Sequence, residues 1–316
     1  MQPTQPIQTA ALQLTGTGAI DEIINAFIEA QDVKTNSKAL YKRTLKLFFS
    51  WVSASGYAIR DLTRVQILQY KDSLLNSGMS GLTVGSYLVS IRRFYEWVEA
   101  NRYGFNIAKG IKTPTRKQQF RKQALTPGQG RDLLKHFEAD KLNARDLAII
   151  NLLLRTGLRT IEVIRANVED IVYKGETRVL LVHGKGRNEK DDFVILTDKT
   201  YQPIKAYLDT RPKAKTGEPL FNSVSNNNRG QRLTTRTISK VVKEGLKSIG
   251  LDNRAFTAHS LRHTAAVNIL RATNDISQTQ AVLRHASPAT TQIYTATIKE
   301  EMRLHNAPEK HLDNVF

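Results

Sequence analysis

The reading turns on the stretch His259-Ser260-Leu261-Arg262-His263-Thr264, followed by a helical run, then Leu283-Arg284-His285-Ala286-Ser287-Pro288 and finally Tyr294. Asp275 is placed to cap a helix running towards Leu283. Ser287 followed by Pro288 is a cap and a first-turn proline, which puts Tyr294 on the second turn of a new short helix with His285 just before it. Two histidines, an arginine and a tyrosine are thereby brought together across short helices as a polar site. Taken singly, each has a plainer explanation: a buried Tyr is ordinarily core with its hydroxyl bonded, and a surface His or Arg ordinarily does nothing. His259 and His263 stand four apart, which is metal-ligand spacing. The residues between them lack the Glu of a His-Glu-x-x-His site, and the chain has no Cys, so neither a metal nor another cofactor is expected.

Working outward, the domain that carries this stretch begins at Leu125-Thr126-Pro127-Gly128-Gln129. Thr126 can cap a helix, Pro127 suits its first position and Gln129 completes a capping box. An apolar run from Leu147 to Leu154 follows and is stopped by Gly157, directly before Leu158-Arg159-Thr160-Ile161-Glu162-Val163. Strand signals then cover Asp170 to Tyr173, Thr177 to Val182 and Asp192 to Leu196, with Gly184-Lys185-Gly186-Arg187 as a hairpin tip. The Gly-Lys pair is not a phosphate loop, because that pattern needs Gly where Val179 stands and Ser or Thr where Gly186 stands. Helical pattern resumes at Tyr201 to Leu208. A polar loop from Asn222 to Arg229 precedes another helix, Thr237 to Ile249.

Upstream, residues 1–17 are uncharged and aperiodic, a tail. Residues 18–105 read as a helical domain. Its first helix carries Ile20, Ile23, Ile24, Phe27 and Ile28, with Asp21 and Glu22 suiting its first turn. A second runs from Ser37, a third over Val65 to Leu75, and a fourth from Ser80 with Val84, Tyr87, Leu88, Ile91, Phe94, Tyr95 and Trp97 as its buried stripe. Lys42 and Arg43 on the second helix, and Arg92 and Arg93 on the fourth, project from the other faces. Residues 106–124 form a basic linker that includes Lys117 and Arg121. The fold class is thus mainly α with a small β-sheet, in two domains, 18–105 and 125–316.

Charge names the class of partner. Lys and Arg number 47 against 29 Asp and Glu, a net +18, which favours a polyanion, with nucleic acid ahead of an acidic membrane surface. No apolar run is long enough for a membrane span and no secretory signal is visible. The absence of Cys excludes disulfide and thiol chemistry and is compatible with a reducing cytoplasm. Lys42, Arg43, Arg92, Arg93, Lys117 and Arg121 are the candidate phosphate contacts.

Arg159 within Thr-Gly-Leu-Arg-Thr-Ile-Glu, Lys185 on a hairpin, His259-x-x-Arg262, and His285 nine residues before Tyr294 together resemble the tyrosine recombinases, the phage integrase family. The stretch from Thr83 through Arg92, Arg93, Phe94, Tyr95 and Trp97 is similar to that family's helical, SAM-like core-binding domain. The chain departs from the pattern at Arg284, where Gly is usual, and at Ile161, where a small residue is common. The resemblance implies a C-shaped clamp on duplex DNA and a site-specific recombinase of the Xer-like, transposon or phage type, without an arm-binding domain.

It further implies that Tyr294 is the nucleophile, forming a 3′-phosphotyrosine. Arg159 and Arg262 would clamp the non-bridging oxygens, Lys185 protonate the leaving 5′ oxygen, His259 take up the tyrosine proton and His285 bond a phosphate oxygen. Glu162 would fix Arg159. Two exchanges through a Holliday junction in a homotetramer would recombine inverted core sites, with accessory DNA-bending proteins as further partners. Residues after Tyr294 would link protomers, and the expected place of action is the bacterial cytoplasm or nucleoid. The alternatives are a type IB topoisomerase-like relaxing enzyme and a catalytically inactive DNA-binding regulator.

Overall fold

The computed structural model describes residues 17–114, 123–140, 143–183, 189–212 and 214–284, together with residues 294, 295, 298, 309 and 313. The chain divides into two compact units, Met1–Gln118 and Gln119–Phe316.

The first unit contains α1 (Thr17–Glu29), α2 (Thr35–Ala54), α3 (Arg64–Asn76) and α4 (Gly81–Ala100). Each helix has an apolar stripe at helical spacing, and the stripes close on one core that includes Ile24, Phe27, Leu45, Phe48, Val84 and Ile91. The Phe94 ring meets Phe27 and Phe49 edge-on, with centroids 5.5 Å away in both cases, the arrangement that ring quadrupoles favour. The starts are written in side chains: Thr63 and Gln66 form a capping box for α3, and the Ser80 hydroxyl accepts from the Thr83 amide at 3.2 Å to open α4. Helix α1 begins earlier than its apolar residues suggest, so Asp21 and Glu22 lie beyond its first turn. Asp21 instead pairs with Lys46 of α2 at 3.0 Å. Trp97 sits at the margin of the core, partly buried.

The second unit runs α5 (Pro127–Ala139), α6 (Ala144–Thr156), α7 (Thr160–Arg165), β1 (Ile171–Lys174), β2 (Thr177–Val182), β3 (Asp192–Ile195), α8 (Asp198–Asp209), α9 (Thr235–Ser248), α10 (Ala258–Thr273) and α11 (Ile276–Leu283). Thr126, Pro127 and Gln129 start α5 as their order suggests, with the capping box formed. The strands make an antiparallel meander, β1-β2-β3, in which Leu180 faces Ile171 on one side and Val194 on the other. The tip between β2 and β3, including Lys185, lies outside the described residues. Helix α6 is enclosed: Ala148, Ile149, Ile150, Leu152 and Leu153 are fully buried, and α5, α8 and α10 pack against it. The described residues are therefore mainly helical with one small sheet.

Candidate active site

Helix α6 ends at Gly157, which has φ +62°. Glycine is needed there for two reasons. Its backbone is in the left-handed region, and a Cβ would meet Leu283 Cδ2 at 2.8 Å and Ala265 Cβ at 3.3 Å. The sharp stop delivers Arg159 to the N-cap of α7. Glu162, one turn on, binds back to it twice: Oε2 accepts from the Arg159 backbone N–H and Oε1 from the Arg159 guanidinium, both at 2.7 Å. The Glu162 side chain is wholly excluded from solvent, so the carboxylate is a buried fixing point for Arg159 and no surface charge.

Arg262 approaches from α10 and is itself buried. Its guanidinium donates to the carbonyl oxygens of Gly157 and Leu283, tying the end of α6 to the end of α11, and lies 4.0 Å from Glu162 Oε2. Arg284 completes the cluster. It caps α11 in the left-handed conformation, φ 53° and ψ 49°, and its guanidinium reaches Glu162 Oε2 at 3.0 Å. Three guanidiniums thus face one carboxylate, which leaves the cluster electropositive and suited to a phosphate oxyanion.

The titration behaviour follows from this packing. Burial alone would raise the Glu162 carboxyl, but the Arg284 charge, the Arg159 backbone N–H and the Arg159 guanidinium outweigh it and hold the group below its ordinary range. Burial, with repulsion from Arg159 and Arg284, pushes Arg262 down to about 10, against the pull of Glu162 and Tyr294; it stays charged at neutral pH. Tyr294 is helical and only 3% exposed. Burial raises its phenol, while Arg262 and then Arg159 pull it back in part. Tyr294 therefore lies inside the field of both arginines.

Arg159, Arg262 and Tyr294 are thus brought together, three of the six positions read from the sequence. His259 is exposed on the first turn of α10, and its ring centroid lies 4.6 Å from that of His263. Lys185 and His285 fall outside the described residues. Two residues that the sequence reading noted were given no role in the site by it. His263 is buried and meets the Tyr294 ring, with centroids 5.3 Å apart; its place one helical turn after His259, on the apolar side of α10, was the available signal. Arg284 joins the carboxylate cluster, and its departure from a usual Gly was the signal there.

In the first unit, Lys42 and Arg43 are exposed. Arg92 is engaged inside the unit, donating to the Ile111 carbonyl at 3.3 Å, and Arg93 pairs with Glu96 at 3.0 Å. Lys117 and Arg121 lie outside the described residues. No helix among the described residues is long and apolar enough to cross a membrane.

Residues 123–301 match the description "Phage integrase family". The tyrosine recombinase XerC of Neisseria gonorrhoeae is 32% identical over 264 residues, covering 81% of this chain and 84% of that protein. The tyrosine recombinase XerD of Listeria innocua is 26% identical over 292 residues, covering 90% and 95%. The fold resembles that of the XerH site-specific recombinase in a post-cleavage complex with palindromic difH substrate, with TM-score 0.75 and 19% identity over 93% of this chain and 85% of that one. It also resembles the Tn1549 transposon integrase in complex with transposon right-end DNA, with TM-score 0.65 and 18% identity over 90% and 98%. The chain belongs to the phage integrase family, and it is a tyrosine site-specific recombinase.

Proposed function

We propose that the protein cleaves and rejoins duplex DNA through a covalent 3′-phosphotyrosine at Tyr294. The observation that carries this reading is the position of Tyr294 in the field of Arg159 and Arg262, which meet around the buried Glu162 carboxylate. The Tyr294 oxygen attacks the scissile phosphorus and the bond to the 5′ oxygen breaks. Arg159 and Arg262 hold the non-bridging oxygens as negative charge grows on them. The phenol proton passes to the His259 side of the site, and Lys185 donates a proton to the leaving 5′ oxygen. His285 bonds a phosphate oxygen. One phosphoester is exchanged for another, so the free 5′ hydroxyl of a partner strand can reverse the step without ATP.

The substrate is duplex DNA with inverted core sites, as the net charge of +18 favours. Lys42, Arg43 and the basic linker with Lys117 and Arg121 are the backbone contacts. Arg92 acts chiefly by bracing the chain at Ile111, and Arg93 reaches DNA only by leaving Glu96. The 18–105 unit contributes DNA binding and 125–316 carries the chemistry. Ordered exchange through a Holliday junction takes place in a homotetramer in the bacterial cytoplasm or nucleoid, with DNA-bending proteins assisting.

The test is to incubate the protein with genomic fragments in excess EDTA, denature it in mid-reaction, and sequence the DNA left attached. The expected result is one short family of sites joined through a 3′ phosphate. Loss of attachment in EDTA, restored by Mg²⁺ or Zn²⁺, would replace this mechanism with a metal-assisted one.

A further inference from the structure

Arg284 stands at a position where the backbone conformation favours glycine. It caps α11 at φ 53°, a region that L side chains seldom enter and that Gly occupies freely. An arginine kept there carries a conformational penalty, and its side chain is desolvated as well, only 5% exposed. Both costs disappear if the residue is Gly. What the side chain obtains in return is specific: Nη2 donates to Glu162 Oε2 at 3.0 Å, across 122 residues of sequence. Nη1 donates back to the Val282 carbonyl at 2.7 Å, which fixes the guanidinium on its own helix end.

Glu162 is the same carboxylate that holds Arg159 by its backbone and its side chain. Arg284 is thus the bolt between two parts of the site. One is the turn that aims Arg159. The other is the C-terminus of α11, which His285 and Tyr294 follow in sequence. Arg262 ties the same two parts through the Gly157 and Leu283 carbonyls, but Arg262 must also serve the phosphate. A second tie that need not touch substrate lets the nucleophile segment keep its place when Arg262 turns to the oxyanion.

Resting on the strand-cleavage reading above, we propose that Arg284 is a positioning residue, which holds the Tyr294 segment in register with Arg159 by gripping Glu162. The charge balance agrees. The Arg284 charge is one of the pulls that keep Glu162 ionised against burial, so its loss would also leave Arg159 on a weaker anchor.

The experiment measures single-turnover cleavage of a nicked suicide duplex bearing the site recovered by trapping. Half-site affinity is read by gel shift and melting temperature in parallel. Arg284→Gly relieves the backbone, so melting temperature and half-site affinity should hold while covalent adduct forms about ten- to a hundredfold more slowly, as a misplaced reacting group does. Arg284→Lys, which keeps the charge, should recover part of that rate. In a Glu162→Gln background, Arg284→Gly should add less than about twofold, because both changes break one coupling. Wild-type rate in R284G overturns the proposal, and so do effects of the two substitutions that simply multiply. If R284G does not fold, Arg284→Asn, which also tolerates the left-handed region, is judged by the same criteria. A fall in melting temperature that tracks the lost cleavage in both variants would assign Arg284 to stability alone and overturn the proposal. Absence of any adduct from the wild-type protein overturns the strand-cleavage reading itself, whereas adduct formed equally fast by wild type and R284G overturns this inference alone.

Discussion

The ring of Tyr294 lies against the ring of His263, with centroids 5.3 Å apart and planes at 66°. The contact seats the tyrosine on α10, the helix that also carries Arg262, so the proposed nucleophile and the proposed phosphate clamp share one support. His263→Ala should remove an edge-to-face pair and open a space beside Tyr294, costing about 1–3 kcal/mol of stability and slowing adduct formation about tenfold. His263→Phe should keep most of the stability. Chemical denaturation and suicide-substrate kinetics on both variants check this; cleavage by H263A at the wild-type rate would show that the contact does not position the tyrosine.

Glu162 makes a prediction in pH. Its folded-state pKa is lowered from the ordinary value of 4.5, so its ionisation adds stability that is fully present above that value. This stability is lost as pH falls through the lower folded value. Wild-type stability should therefore drop in acid, and Glu162→Gln should lack that part of the drop. At neutral pH the same variant leaves Arg159, Arg262 and Arg284 without their shared anion and should cost about 3–5 kcal/mol. Unfolding curves for both proteins from pH 7 to pH 3 give the answer; parallel curves would mean that Glu162 is not the ionised anchor.

Lys185 follows Val182, which pairs with Asp192 where β2 and β3 leave the ladder. If it is the general acid, Lys185→Ala should be slow on ordinary DNA and recover on a duplex with a 5′-bridging phosphorothiolate, whose sulfur leaves without a proton. Arg159→Ala should not recover. The reverse pattern would move the acid to another residue.

The expectation that residues after Tyr294 link protomers does not hold for Ile298. Ile298 is buried in the chain's own cluster with Val267, Leu270, Leu283 and Tyr294, so it is core in cis. The proposed protomer link is thereby narrowed to residues from Met302 onward. Truncation after Glu301, which retains Ile298, should keep half-site binding within about twofold and abolish paired-site complexes. Light scattering that still finds tetrameric synapses in the truncated protein would remove the tail from assembly.

The parts of the fold legible in the sequence were those governed by local chemistry. Thr126, Pro127 and Gln129 start α5 as their order requires, and Thr177 to Val182 is a strand from first residue to last. Gly157 ends α6 because no other residue suits its backbone and its neighbours together. What escaped depends on residues far apart in sequence. Asp21 looks like a first-turn carboxylate until α2 offers it Lys46. Arg92 looks like a surface cation until the chain returns to place the Ile111 carbonyl beside it. Arg284 reads as a bulky intruder, and only the 122-residue separation from Glu162, closed by folding, gives it a partner.

The proposed chemistry rests on Tyr294 as the attacking group. Its most direct measurement is covalent adduct formation by Tyr294→Phe on a nicked suicide duplex carrying the trapped site, with half-site affinity followed in parallel. Phenylalanine keeps the ring that meets His263 and removes only the oxygen. Half-site binding should stay within about twofold of wild type, with no adduct at any time. An adduct of undiminished yield in that variant would show that another residue attacks the phosphate.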